Sequence, residues 1–498
     1  MAMPDDTPTG IQRLVASPAV RSGYTSAVVH LLVLIGLALL WIDRRTPPPP
    51  RPIVIAIAAA TDTADEIGAA AAEAVMPGPP AAAPPPVAPL AASEPETPLV
   101  PEPAAAPEST VPLVPVETVA AVVAKGDGVV ARPASLAQPT PAGTAAGDAI
   151  AAAFARRSGA DRGAAVRDRG GSAASEAAVE RGLAWLARHQ AADGSWRFDL
   201  SGCQCDGGCR DAGTVSSTTA ATGIALLPFL GAGHTQAAGA YRETVTRGLY
   251  YLMSRIQPTP RGGDLAEGTM YGQGVATLAL AEALGMTKDE MLVRPVRDAV
   301  RFIVTAQDAY GGGWRYLPGQ AGDTTVTAWQ LTALKSAALA GLEVPSPTFD
   351  GVCRFLDRVE TQGGAAYGYQ SPQARSCTSA IGLLCRMYTG WDREEALDRG
   401  LAALAKPGPA VQGVYQNFYL AQALLQRDHP AWPRWNARNR DQLVARQGAI
   451  GHEAGSWFFA DPETAPGGRL AHTALAVLTL EVYYRLLPIY GHAAVAGF

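Results

Sequence analysis

A two-part pattern recurs along the C-terminal two thirds of this chain. Val179–Phe198 reads VERGLAWLARHQAADGSWRF, and Val296–Tyr316 reads VRDAVRFIVTAQDAYGGGWRY. Each is an amphipathic helical run ending in Gln, then a glycine turn that delivers Trp. Weaker copies start at Val245, Val352, Ala396 and Arg440. After each copy comes a second run rich in small apolar residues, starting at Ser216, Met270, Thr325, Cys377, Val414 and Leu470.

The contrast within each pair constrains the fold. The first helix carries Arg and Glu on one face and must lie against water on that side. The second has almost no charge and must be buried on nearly every side. Inner helices ringed by outer ones satisfy both demands, whereas a straight solenoid leaves one face of each layer exposed. The expected fold is an all-α, (α/α)6 toroid of six helix pairs over residues 172–498.

The preceding part cannot share that core. Of the 40 prolines, 22 fall between Pro47 and Pro141, and no aromatic residue lies between Trp41 and Phe154. Such a segment cannot repay its ordering entropy, so 43–171 reads as a disordered Ala/Pro-rich linker. Ala27–Ile42 is largely apolar, and with Thr25 and Ser26 it reaches the lower limit of a membrane span. Residues 1–24 form a short tail before the expected transmembrane helix 25–42. The early His30 and the Pro-rich acidic linker resemble the anchor of TonB-like envelope proteins. That resemblance implies a single-pass protein of the bacterial inner membrane with a periplasmic C-terminal domain. The 40 Lys and Arg form no long basic stripe, so a nucleic-acid surface is not expected.

Gln190-Gly194-Trp196, Gln307-Gly313-Trp314 and, with an insertion, Gln447-Gly455-Trp457 resemble the QW motif of squalene and oxidosqualene cyclases. The six-pair ring is similar to that of protein prenyltransferase beta subunits. The arrangement also resembles bacterial, planctomycete-type envelope proteins of the prenyltransferase/squalene-oxidase-repeat class. In that resemblance the Gln ties helix ends and the Trp packs beside it, which suits a side-chain amide with two donors and a large apolar ring.

The resemblance also implies places to look for chemistry. The cyclase acid motif matches at Asp323-Thr324-Thr325-Val326-Thr327-Ala328, but only the first carboxylate is present. A lone Asp opening a helix is commonly an N-cap, so Asp323 is a catalytic candidate with a structural alternative. The prenyltransferase zinc ligands would fall at Cys377 and His472, with Arg375 in place of the usual Asp. Cys203, Cys205 and Cys209 sit within seven residues. Three thiolates with an imidazole suit Zn²⁺, and His189 and His234 are the nearest in sequence; a disulfide such as Cys205–Cys209 is the alternative. Met270, Tyr271, Gln273, Trp329, Gln330, Tyr415, Phe418 and Tyr419 lie near inner-helix starts. Of these Trp329, Tyr271, Tyr415, Phe418 and Tyr419 are expected to line a central apolar cavity, or else to plug it.

The incomplete acid motif and the broken zinc triad disfavour standard chemistry. The expected function is binding of an envelope protein or an apolar, isoprenoid ligand by a membrane-anchored toroid. The alternative is a terpenoid cyclase or prenyltransferase-like enzyme. A cyclase requires Asp323 to be buried at an apolar cavity; a transferase requires Cys377 and His472 to converge.

Overall fold

The computed structural model describes Phe154, Arg156, Arg157 and residues 159–485 apart from 206 and 207. The expected transmembrane helix at 25–42 and all but the end of the expected linker lie outside the described residues. Among the described residues, no helix is long and apolar enough to cross a membrane.

A first helix, α1 (Gly159–Arg169), precedes six helix pairs. The pairs are α2 (Ala173–Arg188) with α3 (Thr218–Gly231), α4 (Arg242–Arg255) with α5 (Met270–Thr287), and α6 (Glu290–Thr305) with α7 (Thr324–Leu339). They continue with α8 (Ser346–Val359) and α9 (Ser376–Tyr388), α10 (Glu394–Ala405) and α11 (Val414–Gln426), and α12 (Trp432–Arg446) and α13 (Gly468–Leu480). A last turn, α14 (Val482–Arg485), follows. Each inner helix packs against the inner helix of the next pair, and α13 packs back on α3, which closes the ring. The fold is an all-α toroid.

Burial divides the two helices of a pair as their charge patterns require. On the outer α6, Leu292, Val296, Ala299, Val300 and Ile303 form one buried stripe. On the inner α5 every residue from Gly272 to Gly285 is buried. Two short antiparallel hairpins decorate the turns: Gln257–Thr259 with Gly262–Asp264, and Glu360–Thr361 with Ala366–Tyr367.

The Gln–Gly–Trp motif has one geometry, used three times. Gln190 Nε2 donates to Gly194 O and to Thr244 O of the next outer helix, both at 2.9 Å. Gln307 Nε2 donates to Gly312 O (2.7 Å) and Thr348 O (2.9 Å), and Gln447 Nε2 to Gly455 O (2.9 Å) and Ala178 O (2.8 Å). The indole N–H of each Trp returns to its own outer helix, at Leu186 O, Ile303 O and Leu443 O, all at 2.8 Å. The backbone N–H of each Trp donates to an inner-helix threonine hydroxyl: Thr222, Thr327 or Thr473. The turn glycine approaches the next outer helix so closely that a Cβ on Gly194 would lie 2.6 Å from Arg247 O, at a φ of +87°. Gly312, not Gly313, is the equivalent in the third repeat, since it is Gly312 that has positive φ and abuts Gly351 O.

The boundary expected at residue 172 moves towards the N-terminus. α1 packs against α14. Arg157 is buried, donating to Glu282 Oε2 (2.8 Å), Leu230 O and Arg485 O, while Arg485 also pairs with Glu282. Composition concealed this because the anchoring couples an arginine held by a distant buried carboxylate with a few scattered apolar residues, Phe154, Ala165 and Val166.

Replacing Gln307 with Ala should leave Gly312 O and Thr348 O without this donor and lower the unfolding free energy by ~1–3 kcal/mol. Urea denaturation of the full chain checks this; an unchanged midpoint would contradict a tying role.

Candidate functional site

At the N-terminal ends of the inner helices the ring carries a small, partly open apolar pocket of about 100 Å³. Phe198, Val215, Ile224, Val275, Trp329 and Leu475 supply most of its wall, with Tyr271 and Tyr415 beside them. The polar tips of the aromatic residues are tied elsewhere. Trp329 Nε1 donates to Tyr415 Oη (2.8 Å), and Tyr271 Oη bonds Thr325 Oγ1 (2.7 Å). The aromatic groups therefore present carbon to the cavity, while Thr269, Glu463 and Thr464 add polar atoms to its lining. Burial and the neighbouring Asp461 push the Glu463 carboxyl up, with Arg375 opposing.

Trp329, Tyr271 and Tyr415 line this space. Phe418 and Tyr419, expected with them, do not: Phe418 stacks on Trp329 (centroids 6.2 Å apart) and Tyr419 packs edge-on to Phe418. They lie about one turn further along α11 than Tyr415, which places them behind the wall. Gln273 and Gln330 hold backbone. Gln273 donates to Gly263 O and Ala299 O and accepts from Leu265 N, while Gln330 donates to Met270 O. Composition did not flag Phe198 and Val215, because they lie in a long connection, outside any helical pattern.

Asp323 is the N-cap of α7 and is fully buried. Its Oδ1 accepts from Val326 N (2.8 Å) and Thr325 Oγ1 (2.9 Å), and its Oδ2 lies 3.9 Å from Arg315 Nε. Burial pushes its carboxyl up to about 6, against the opposing effect of these donors, Tyr369 and Arg315. The carboxylate is not part of the pocket wall; Thr325 separates it from Tyr271.

The thiols of Cys203, Cys205 and Cys209 converge in the α2–α3 connection. Their Sγ atoms are 2.7 Å (203–205), 3.3 Å (205–209) and 3.8 Å (203–209) apart. Cys205 and Cys209, the pair of the alternative disulfide, have their Sγ atoms 3.3 Å apart. His189, at the C-cap of α2, joins the cluster. His234 does not; its ring packs edge-on against Tyr241. A residue that sequence reasoning missed takes that place: His452, whose Nε2 is 3.1 Å from Cys209 Sγ and 3.2 Å from His189 Nε2. The available signal was the insertion in the third motif. Gln447 and Gly455 are eight residues apart where Gln190 and Gly194 are four apart, and the extra turn Gly451–Glu453 carries this imidazole.

Cys377 and His472 do not meet at a metal-ligating group among the described residues. His472 bonds Thr464 Oγ1 through Nε2 (2.7 Å) and accepts Phe459 N at Nδ1, so both ring nitrogens are engaged. Burial pushes the Cys377 thiol well up, and Glu463 and Asp461 add to this. Both Cys377 and His472 are buried within the helix packing.

No family model matches the chain, and no curated protein matches it. Among solved structures it is similar to an alpha-1,6-mannanase of Salegentibacter sp. HEL1_6, with 9% identity and a TM-score of 0.45 over 62% of this chain and 98% of that one. It is also similar to a type II terpene cyclase from Scytonema in complex with merosterolic acid A, with 14% identity and a TM-score of 0.42 over 64% of this chain and 98% of that one.

Proposed function

We propose that the toroid is a binding domain that seats the end of an apolar ligand, of isoprenoid or similar hydrocarbon character, in its central pocket. The observation that carries this reading is the pocket wall, in which Trp329 donates to Tyr415 and Tyr271 bonds Thr325, so that their polar ends are engaged and carbon faces inward. At about 100 Å³ the space is smaller than the ~150 Å³ that accommodates benzene, so it takes no more than the tip of a hydrocarbon chain. Dispersion and desolvation would provide the affinity.

Cyclisation of a long isoprenoid has two physical objections. Such a substrate must be enclosed whole, and this cavity takes only its tip. Protonating an alkene also calls for an unusually strong acid, whereas Asp323 is held above the usual carboxylate range and lies behind Thr325. A zinc-dependent prenyl transfer lacks its ligand pair, since His472 is committed to Thr464 and Phe459.

Two measurements test this reading. Titrating the full chain with isoprenol, geraniol and farnesol should quench tryptophan fluorescence through Trp329, and Ala471→Leu, which fills the pocket, should weaken the effect at least ~10-fold with folding retained. Equal response in the variant would contradict the pocket as the site. The second concerns Asp323 as a cap. Its carboxyl is higher in the folded chain (about 6) than in the unfolded one (about 4), so the folded state binds the extra proton between those values. Stability therefore falls as pH rises through that window. Relative to Asp323→Asn, the wild type should gain on the order of 1–3 kcal/mol on going from pH 7 to pH 4.5 in urea melts. A pH-independent difference would contradict the buried-carboxylate assignment.

A further inference from the structure

Five of the six joints between neighbouring helix pairs are spanned by the chain itself. The sixth, where the last pair meets the first, has no covalent connection. Here the cysteine and histidine side chains collect from opposite sides: His189, Cys205 and Cys209 from the first pair and its connection, His452 from the turn between α12 and α13.

One ligand atom from each of these four residues lies within 4.8 Å of every other. The shorter separations are 3.1 Å (Cys209 Sγ to His452 Nε2), 3.2 Å (His189 Nε2 to His452 Nε2) and 3.3 Å (Cys205 Sγ to Cys209 Sγ). A tetrahedral zinc ion with bonds of about 2.3 Å to sulfur and 2.0 Å to nitrogen sets ligand–ligand edges of roughly 3.3–3.8 Å, which these approach. The tautomer of His189 is also fixed from outside: its Nδ1 is 2.7 Å from Trp185 O, so Nδ1–H donates there and Nε2 turns its lone pair into the cluster. Trp185 in turn donates its indole N–H to His452 O (3.2 Å), holding the opposite ligand's backbone. An open cleft lined by Arg188, Gln204 and Arg247 borders Cys205 and His452 and provides a route from solvent.

We propose that His189, Cys205, Cys209 and His452 bind one Zn²⁺, and that this ion clasps the last helix pair to the first. Binding releases the two thiol protons to solvent, and two thiolates neutralise the divalent ion. Cys203, with its Sγ 3.1 Å from Leu200 O, stands beside the site as a thiol outside the ligand set. Because His452 lies more than 240 residues from the other three ligands in sequence, the ion restricts the unfolded chain as a long-range cross-link does.

The test uses the full chain purified under reducing conditions. Elemental analysis should find about one zinc per chain, and Co²⁺ exchanged into the chelator-stripped protein should give the intense visible bands of a tetrahedral site with a thiolate charge-transfer band in the near ultraviolet. His452→Ala and Cys209→Ser should each lower bound metal below about a tenth per chain while circular dichroism still reports a helical fold; Cys203→Ser and Cys353→Ser should retain it. Stripping the metal should lower the wild-type Tm by several degrees and leave the His452→Ala Tm unmoved. Reduced thiols that take up neither Zn²⁺ nor Co²⁺, or a mass two hydrogens short with no metal, would overturn the proposal. Metal lost in Cys203→Ser but kept in His452→Ala would overturn the ligand set and with it the clasp.

Discussion

A primary amide nitrogen carries two N–H donors and can satisfy two carbonyls at once. In this ring that capacity sits at the C-terminal ends of the outer helices α2, α6 and α12, where Gln190, Gln307 and Gln447 each bind their own turn and the outer helix of the following pair. Only a glycine with positive φ lets the turn come that close, and the Trp two residues later fills the space beneath it. The third copy matters most for topology. Gln447 binds Ala178, and in doing so ties the last helix pair to the first. Further contacts follow across the same seam: Arg469 with Asp211, Arg210 with Glu453, and His452 with Cys209.

The seam and the pocket share a wall. Phe198 and Val215, on the connection that follows α2, line the pocket from one side of the joint; Thr464 and Pro466, from the connection that precedes α13, line it from the other. Thr214 N and Val215 N both donate to Pro466 O, at 2.8 and 3.2 Å. Whatever strengthens this joint therefore also fixes the shape of the cavity. At the opposite end of the ring, Arg157, Glu282 and Arg485 form a buried ion cluster. There Arg157 and Arg485 hold the Glu282 carboxyl below the usual range despite its burial.

Helix pairing was legible because charge and smallness alternate strongly from one run to the next; α2 and α3 differ so much in charge that inner and outer roles follow directly. The three-thiol cluster was also visible. Its partner His452 was not, because nearness in sequence says nothing about a contact made by ring closure, and only the lengthened Gln447–Gly455 spacing hinted at it. The burial of Arg157 was hidden for a similar reason, since its acceptor Glu282 is 125 residues away. Phe418 and Tyr419 look equivalent to Tyr415 in a helical pattern, and their depth along α11 separates them. Asp323 combined two readings. It is a cap, as a lone Asp at a helix start should be, yet it is buried, with its own backbone bridged to the buried Trp314.

The central claim is that the ring carries a site for the end of an apolar ligand. Native mass spectrometry of the full chain, purified without added ligand, addresses it most directly, followed by identification of whatever small molecule is released on denaturation. The expected result is a near-stoichiometric, hydrocarbon-rich compound that is absent from the Ala471→Leu variant. A polar compound at stoichiometry, or an apolar one retained equally by that variant, would contradict it.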